Sequence, residues 1–270
     1  MHAVASASVR PSYNPEHFEP LFAVEDGHFW FRARNRCIAA AAGLIANPGS
    51  VREIIEHGCG TGFVLRELQR LFPRAQVTGA DLFAEGLALA RRRFTGRLIQ
   101  VNLLECDFRA AFDLAGLFDV LEHLDRDVEA LLALRRQLRP GGRLLLTVPA
   151  HRWLWSGYDV ESGHRRRYTR AQLEARLAEA GFSVDYCTEF MCGLVPLMWL
   201  RRRASWGRGG TPETSTPRPA KDELRVHPLA NRVLEALLRP EASWIGRGWR
   251  LPFGTSLLAL ATRDDRPDPW

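Results

Sequence analysis

The sequence predicts an α/β fold, a doubly wound sheet with helices on both faces, and three observations carry that expectation. Residues 51–71 read as strand, glycine-rich turn and helix: Val51, Ile54 and Ile55, then Gly58, Gly60 and Gly62, then Phe63, Val64, Leu65, Leu68 and Leu71 at helical spacing. Further short apolar runs at 76–80, 101–105, 117–121 and 143–148 read as buried strands, and acids stand at or just past several of their ends. Between them leucines recur at helical spacing, at 131, 132 and 134 and again at 173 and 177.

The chain has 270 residues, enough for one large domain with a full core, and its 46% hydrophobic content is ordinary for a globular protein. No charged start followed by an apolar run marks a signal peptide, and no apolar run approaches the ~20 residues of a membrane span. Five cysteines without a CxxC pair point to reduced thiols and a cytoplasmic setting. The net charge of +6 rests almost wholly on arginine, since Lys221 is the sole lysine; the basic residues are scattered, with clusters at 165–167 and 201–203, so no nucleic-acid partner is expected.

Residues 1–15 are polar and are expected to fray. Residues 16–47 read as one or two helices ending at Asn47-Pro48-Gly49, and they hold His28-Phe29-Trp30-Phe31 followed by Arg32 and Arg34. Three consecutive aromatics cannot all face one core from one helix. Either they form a lid over the glycine turn, with Arg32 or Arg34 near a ligand carboxylate, or the helix packs on the sheet edge. In the turn itself a glycine at 63 would complete a dinucleotide fingerprint, but that position is Phe63. Glu56 at the end of the first strand suits a ligand with its own ammonium group. The second strand, 76–80, ends in Asp81, placed to accept two ribose hydroxyls. A third strand is expected over 101–105, leading to Asp107 and Phe108. A fourth, over 117–121, carries Asp119, with Glu122 and His123 just past it. Asp125 or Asp127 is expected to cap the next helix, with Pro140-Gly141-Gly142 as its stop and a fifth strand over 143–148. Thr169 and Gln172 form a capping box, and its helix ends at Gly181 before a strand over 182–187.

From the first strand to residue 190 the chain resembles the class I S-adenosylmethionine (SAM) dependent methyltransferases. The resemblance rests on Glu56–Gly62, Asp81, Glu105–Phe108, Asp119–His123 and Leu138–Gly142, in that order. It implies a Rossmann-like, doubly wound seven-stranded mixed sheet whose last strand, 255–261, runs antiparallel. It implies SAM as cofactor, bound by Glu56, Gly58, Cys59, Gly60, Gly62, Asp81, Leu82, Asp107 and Phe108, with Leu82 on the adenine face, Asp107 at the adenine amino group and the Phe108 backbone N–H beside it. Cys59 is then a small filler in the turn, since methyl transfer from a sulfonium needs no enzyme thiol.

If the acceptor is a hydroxyl, it must lose a proton, and a neutral histidine suits that role. The candidates are His123, favoured for its strand-end position, His164 and His151, with Glu122 beside the reacting centre. Asp119, Glu122 and His123 also match the E-x-x-E-H spacing of methyltransferases that bind a divalent ion, with Asp in place of the first Glu. They are read as lining the pocket, and no metal is assigned. Residues 149–168, rich in Trp, Tyr and His and ending in Arg165-Arg166-Arg167-Tyr168, are expected to border the acceptor, and guanidinium forks there suit carboxylate or phosphate.

The expected organisation is an N-terminal helical cap (1–47), a SAM-binding core (48–190), a lid or membrane- or substrate-facing insertion (191–253) with a flexible loop at 207–222, and a final strand and tail (254–270). The apolar run and three arginines of 190–206 could dock a membrane surface, roof a substrate channel or be core. The expected function is methylation, on oxygen, of a small-molecule or lipid-linked acceptor in the cytoplasm, with possible peripheral contact to the inner membrane. A nucleic-acid methyltransferase and a non-catalytic SAM-binding protein are the alternatives.

Overall fold

The computed structural model describes residues 13–199 and 226–264. A seven-stranded sheet is formed by β1 (Glu53–His57), β2 (Gln76–Asp81), β3 (Arg97–Gln100), β4 (Phe112–Phe118), β5 (Leu138–Pro149), β6 (Phe182–Phe190) and β7 (Ser256–Arg263), in the order β3-β2-β1-β4-β5-β7-β6. Strands β1 to β5 pair in parallel, whereas β7 lies antiparallel between β5 and β6.

Alternate strand residues feed two cores. Ile54, Leu114, Leu145 and Leu258 face one side, where α2 (Phe29–Ala42), α3 (Phe63–Leu71) and α8 (Pro228–Gly246) pack. Ile55, Ala115, Leu144 and Leu257 face the other, against α5 (Asp127–Gln137) and α7 (Arg170–Glu179). Burial on both faces is why these strands read as unbroken apolar runs. Three shorter helices complete the fold: α1 (Phe18–Val24), α4 (Ala84–Ala90) and α6 (Gly157–Glu161). The strand order reverses between β1 and β4, which opens a crevice beyond their carboxyl ends.

Several expected boundaries shift. The third strand is Arg97–Gln100, in register with Thr78–Asp81, and not 101–105. Its apolar sequel turns away because the Asn102 side chain accepts the Leu104 N–H and starts a 3-10 turn over Leu103–Glu105. The fourth strand ends at Phe118, so Asp119 lies past its end in the left-handed region, at φ 54°. Helix α5 stops at Gln137, and Pro140–Gly142 fall inside the long β5. Neither Asp125 nor Asp127 caps α5; Arg126 occupies that place without a side-chain bond, and the helix begins at Asp127. The Thr169–Gln172 capping box is formed in both directions. Strand β6 runs three residues past 187. The late helix, within the insertion expected at 191–253, reaches from Pro228 to Gly246 and continues through Pro240. Of the 190–206 run, residues 200–206 lie outside the described residues, as does the loop expected at 207–222.

Candidate functional site

A cavity of about 450 Å³ opens at the crevice, beneath α1 and α2. One end is built by the glycine turn. Gly58, at φ 67°, could not carry a side chain, because a Cβ there would come within 2.4 Å of Val120 Cγ2. Gly62 turns the chain into α3 at φ 77°, with Ala90 too close for any substituent. Cys59 is buried, and burial holds its thiol well above the ordinary range, so it is inert filler. Glu56 lines the cavity while nearly wholly buried, and its Oε2 has no hydrogen-bond partner. Burial raises its pKa well above normal, against a lowering effect from Arg34.

Asp81 closes β2 and reaches back to the turn. Its Oδ2 accepts the Gly60 N–H (2.7 Å) and its Oδ1 the Phe83 N–H (2.9 Å). Each oxygen retains a lone pair. Burial pushes the Asp81 pKa up, and these N–H donors pull it back. Leu82 lies beside it, and Val101–Leu104 form the adjacent wall. Asp107 and Phe108 depart from expectation. The Asp107 side chain is 84% exposed and paired with Arg109, and Phe108 packs edge-on to Phe112. Neither is among the cavity residues, because the turn over 103–105 carries the chain away before it reaches them.

The cover is held by a buried pair. Glu25 Oε2 accepts from Thr61 Oγ1 (2.5 Å) and from Arg93 (2.6 Å), while Arg93 also donates to the Phe22 carbonyl and stacks on the Phe22 ring. Tyr13, Phe18 and Leu21 thereby close one side of the cavity, and Trp30 and Phe31 of α2 close another. Of the two alternatives for the aromatic run, both hold in part: Phe29 enters the core beneath the sheet, while Trp30 and Phe31 roof the cavity.

Next to the glycine turn, past the end of β4, lie the acids and histidines. Arg34 pairs with Asp119 (2.7 Å), whose other oxygen accepts the Thr147 hydroxyl (3.1 Å); this holds Asp119 in its left-handed conformation. Arg32 instead faces Glu235 on α8. Glu122 is completely buried, both of its oxygens lack hydrogen-bond partners, and desolvation followed by the Asp119 charge raises its pKa well above normal. The His123 and His164 rings meet edge to face at 4.7 Å, both lining the cavity. Burial, then the neighbouring His164, lowers the His123 pKa to about 3, so it is neutral and a weak base. His164 is oriented by its neighbours. Its Nδ1 faces Asp159 Oδ1 at 2.9 Å, and its Nε2 lies 3.9 Å from Glu122. Asp159 is fully buried and gripped by Arg167 through two bonds and by Ser156; burial pushes its carboxyl up, but the hydrogen bond to His164 and then Arg167 hold it far below the usual carboxylate range. His151 is turned away to Glu189 and is not a cavity residue.

Ligand atoms of Glu122, His123 and His164 lie within 4.8 Å of one another, so the triplet that could hold a cation differs from the one the sequence spacing suggests. Asp119 is committed to Arg34, and burial disfavours the ionised form of Glu122 that a cation would need. Sequence reasoning missed the Glu25–Arg93 pair, the Asn102–Leu104 wall and the orienting role of Asp159. Only Asp159 left a signal, as an acid five residues before a histidine in the segment expected to border the acceptor.

The residues present fit SAM. The partnerless oxygen of Glu56 suits an ammonium group, Gly58, Gly60 and Thr61 bring the turn backbone to the cavity wall, and Asp81 offers two acceptor oxygens between apolar walls. Comparison with known proteins is consistent with that fit. The family model described as "Methyltransferase domain" matches residues 27–186. A ubiquinone/menaquinone biosynthesis C-methyltransferase of Desulfotalea psychrophila is 26% identical over 61% of this chain and 77% of its own. A trans-aconitate 2-methyltransferase of an Azoarcus species is 34% identical over 47% of this chain, which spans about half (48%) of that relative. Among solved structures, an S-adenosylmethionine-dependent methyltransferase from Mesorhizobium loti shares the fold, with a TM-score of 0.54 at 18% identity over 88% of this chain and 100% of that one.

Proposed function

The chain belongs to the methyltransferase domain family and is a SAM-dependent methyltransferase, and on that premise we propose that it methylates an oxygen of a small-molecule or lipid-linked acceptor, with His164 as the base. The observation that carries this reading is His164 in the cavity wall with the buried Asp159 hydrogen-bonded behind it. Asp159, kept ionised by Arg167, fixes the proton of His164 on Nδ1, so that Nε2 presents a lone pair. SAM, when bound, supplies an electrophilic methyl group on a sulfonium. Glu56, the glycine turn and Asp81 hold and orient it, and the Tyr13, Phe18, Trp30 and Phe31 cover excludes water. His164 Nε2 would take the acceptor hydroxyl proton, while bound SAM would supply the methyl group and leave as S-adenosylhomocysteine when its sulfonium C–S bond breaks. Neutral His123 adds no competing charge. The free cysteines suit a reducing, cytoplasmic setting.

One observation favours a second acceptor type. Arg126 and Arg165 stand at the rim of the cavity, and one relative is named for a carboxylate-bearing acceptor. A carboxylate needs no base. The test is to follow S-adenosylhomocysteine formation across hydroxylated and carboxylated compounds, then to repeat the productive pair with His164→Ala. Loss of kcat by about 10²–10⁴-fold with unchanged SAM affinity is expected for a hydroxyl acceptor. Unaltered kcat would remove His164 as the base and favour the carboxylate.

A further inference from the structure

Helix α8 has an outer face that nothing in the described structure covers. Leu229, Val233, Leu237 and Trp244 are all exposed, Leu229 by 65% and Val233 by 58%. At about 100° per residue these four positions fall within roughly 80° of the helix circumference, a continuous apolar stripe. The core face lies on the opposite side, where Leu238 and Ile245 are buried. Leu237 packs over Gly193, where an added Cβ would lie 2.8 Å from it, so the chain leaving the 3-10 turn Cys192–Leu194 runs beside the stripe. That chain adds Leu197 and Trp199, both exposed.

The charges around the stripe have one sign. The acids of α8 point inward: Glu235 pairs with Arg32 and Arg36, and Glu241 is buried and accepts the Met191 and Gly193 N–H groups. Exposed Arg232 and Arg239 edge the stripe, with Arg247 and Arg250 at the end of the helix. No helix among the described residues is long and apolar enough to cross a membrane.

We propose that this face docks the protein on an anionic lipid surface, with the α8 stripe entering the headgroup boundary and Arg232, Arg239, Arg247 and Arg250 meeting lipid phosphates. Among the described residues the stripe bears a tryptophan and is edged by exposed arginines, the pattern of a helix lying in a membrane interface. Each arginine near an anionic leaflet adds attraction that salt screens. The inference is independent of the acceptor and of methyl transfer.

The test uses the full chain without SAM, in sedimentation with vesicles of phosphatidylcholine alone or mixed with phosphatidylglycerol, at physiological and at high salt. Binding to the mixed vesicles that falls with salt is expected. Val233→Glu and, separately, the Arg232→Glu/Arg239→Glu pair are expected to lower the partition coefficient at least tenfold, with thermal melts unchanged because these side chains are exposed. The proposal is overturned by no binding to mixed vesicles at physiological salt, by equal binding to both vesicle types, or by a Val233→Glu protein that binds as before. It is also overturned if sedimentation velocity shows a dimer that Val233→Glu dissolves, since a second copy would then own the face.

Discussion

Asp81 joins two functions in one carboxylate. It braces the glycine turn through Gly60 and also faces the cavity with its remaining lone pairs. Asp81→Ala should therefore weaken SAM binding by about 1–3 kcal/mol, the scale of losing hydrogen bonds to a charged group, read by calorimetric titration. Unchanged affinity would remove it from the binding set. His57 shows what burial does to a histidine whose ring is bonded to another buried side chain. It lies behind the turn with Nε2 2.8 Å from Gln137 Oε1, and burial lowers its pKa from 6.5 to about 4. The unfolded chain takes that proton near pH 6.5 and the folded chain only near 4, so its contribution to stability is whole above 6.5 and is lost as pH falls toward 4. The total is on the order of 3 kcal/mol. His57→Gln should flatten that acid limb in urea melts between pH 7 and 4.5, leaving the slope due to His123; an unchanged limb would place the acid sensitivity elsewhere.

At the scale of elements, the cover depends on a helix of only seven residues, α1, which gains little from its own hydrogen bonds. It is fixed instead by Glu25, Thr61 and Arg93. Glu25→Ala leaves Arg93 without its closest buried acid, and should loosen α1, weaken SAM binding several-fold and expose the segment before Gly27 to limited proteolysis. An unchanged cleavage pattern would show the cover held by its aromatics alone. This pair also shows why parts of the site were illegible in the sequence. Glu25 and Arg93 are 68 positions apart, and no local pattern joins them. The glycine turn, Asp81 and the strand-helix alternation were legible because each is written in consecutive residues whose spacing has one geometric solution. The third strand was misplaced because β3, lying at the sheet edge, is only half-buried, while the more apolar 101–104 serves as cavity wall. Asp107 followed that error. His123 and His164 both reached the cavity, but which of them can act as a base was decided by burial and by Asp159, neither of which spacing reveals.

For the whole molecule, the decisive element is β7. It supplies ladder partners to β5 on one side and β6 on the other, and its Leu257–Ala261 run is fully buried. A chain ended at residue 250 should lose cooperative thermal unfolding by circular dichroism, because β6 would have no neighbour in the sheet; a sharp transition would show that β1 to β5 suffice. The last strand to be made is thus an interior one, and this bears on biosynthesis. After Phe190 has left the ribosome, β6 waits for Ser256 for on the order of 3–13 s at ordinary translation rates, with an unpaired edge and an open barrel of leucines behind it. Helix α8 is completed within that interval, so its apolar outer face and the unfinished sheet are presented to the cell together. A nascent chain in that state is a substrate for chaperones, and any surface that receives α8 early shortens the time for which the sheet stands open.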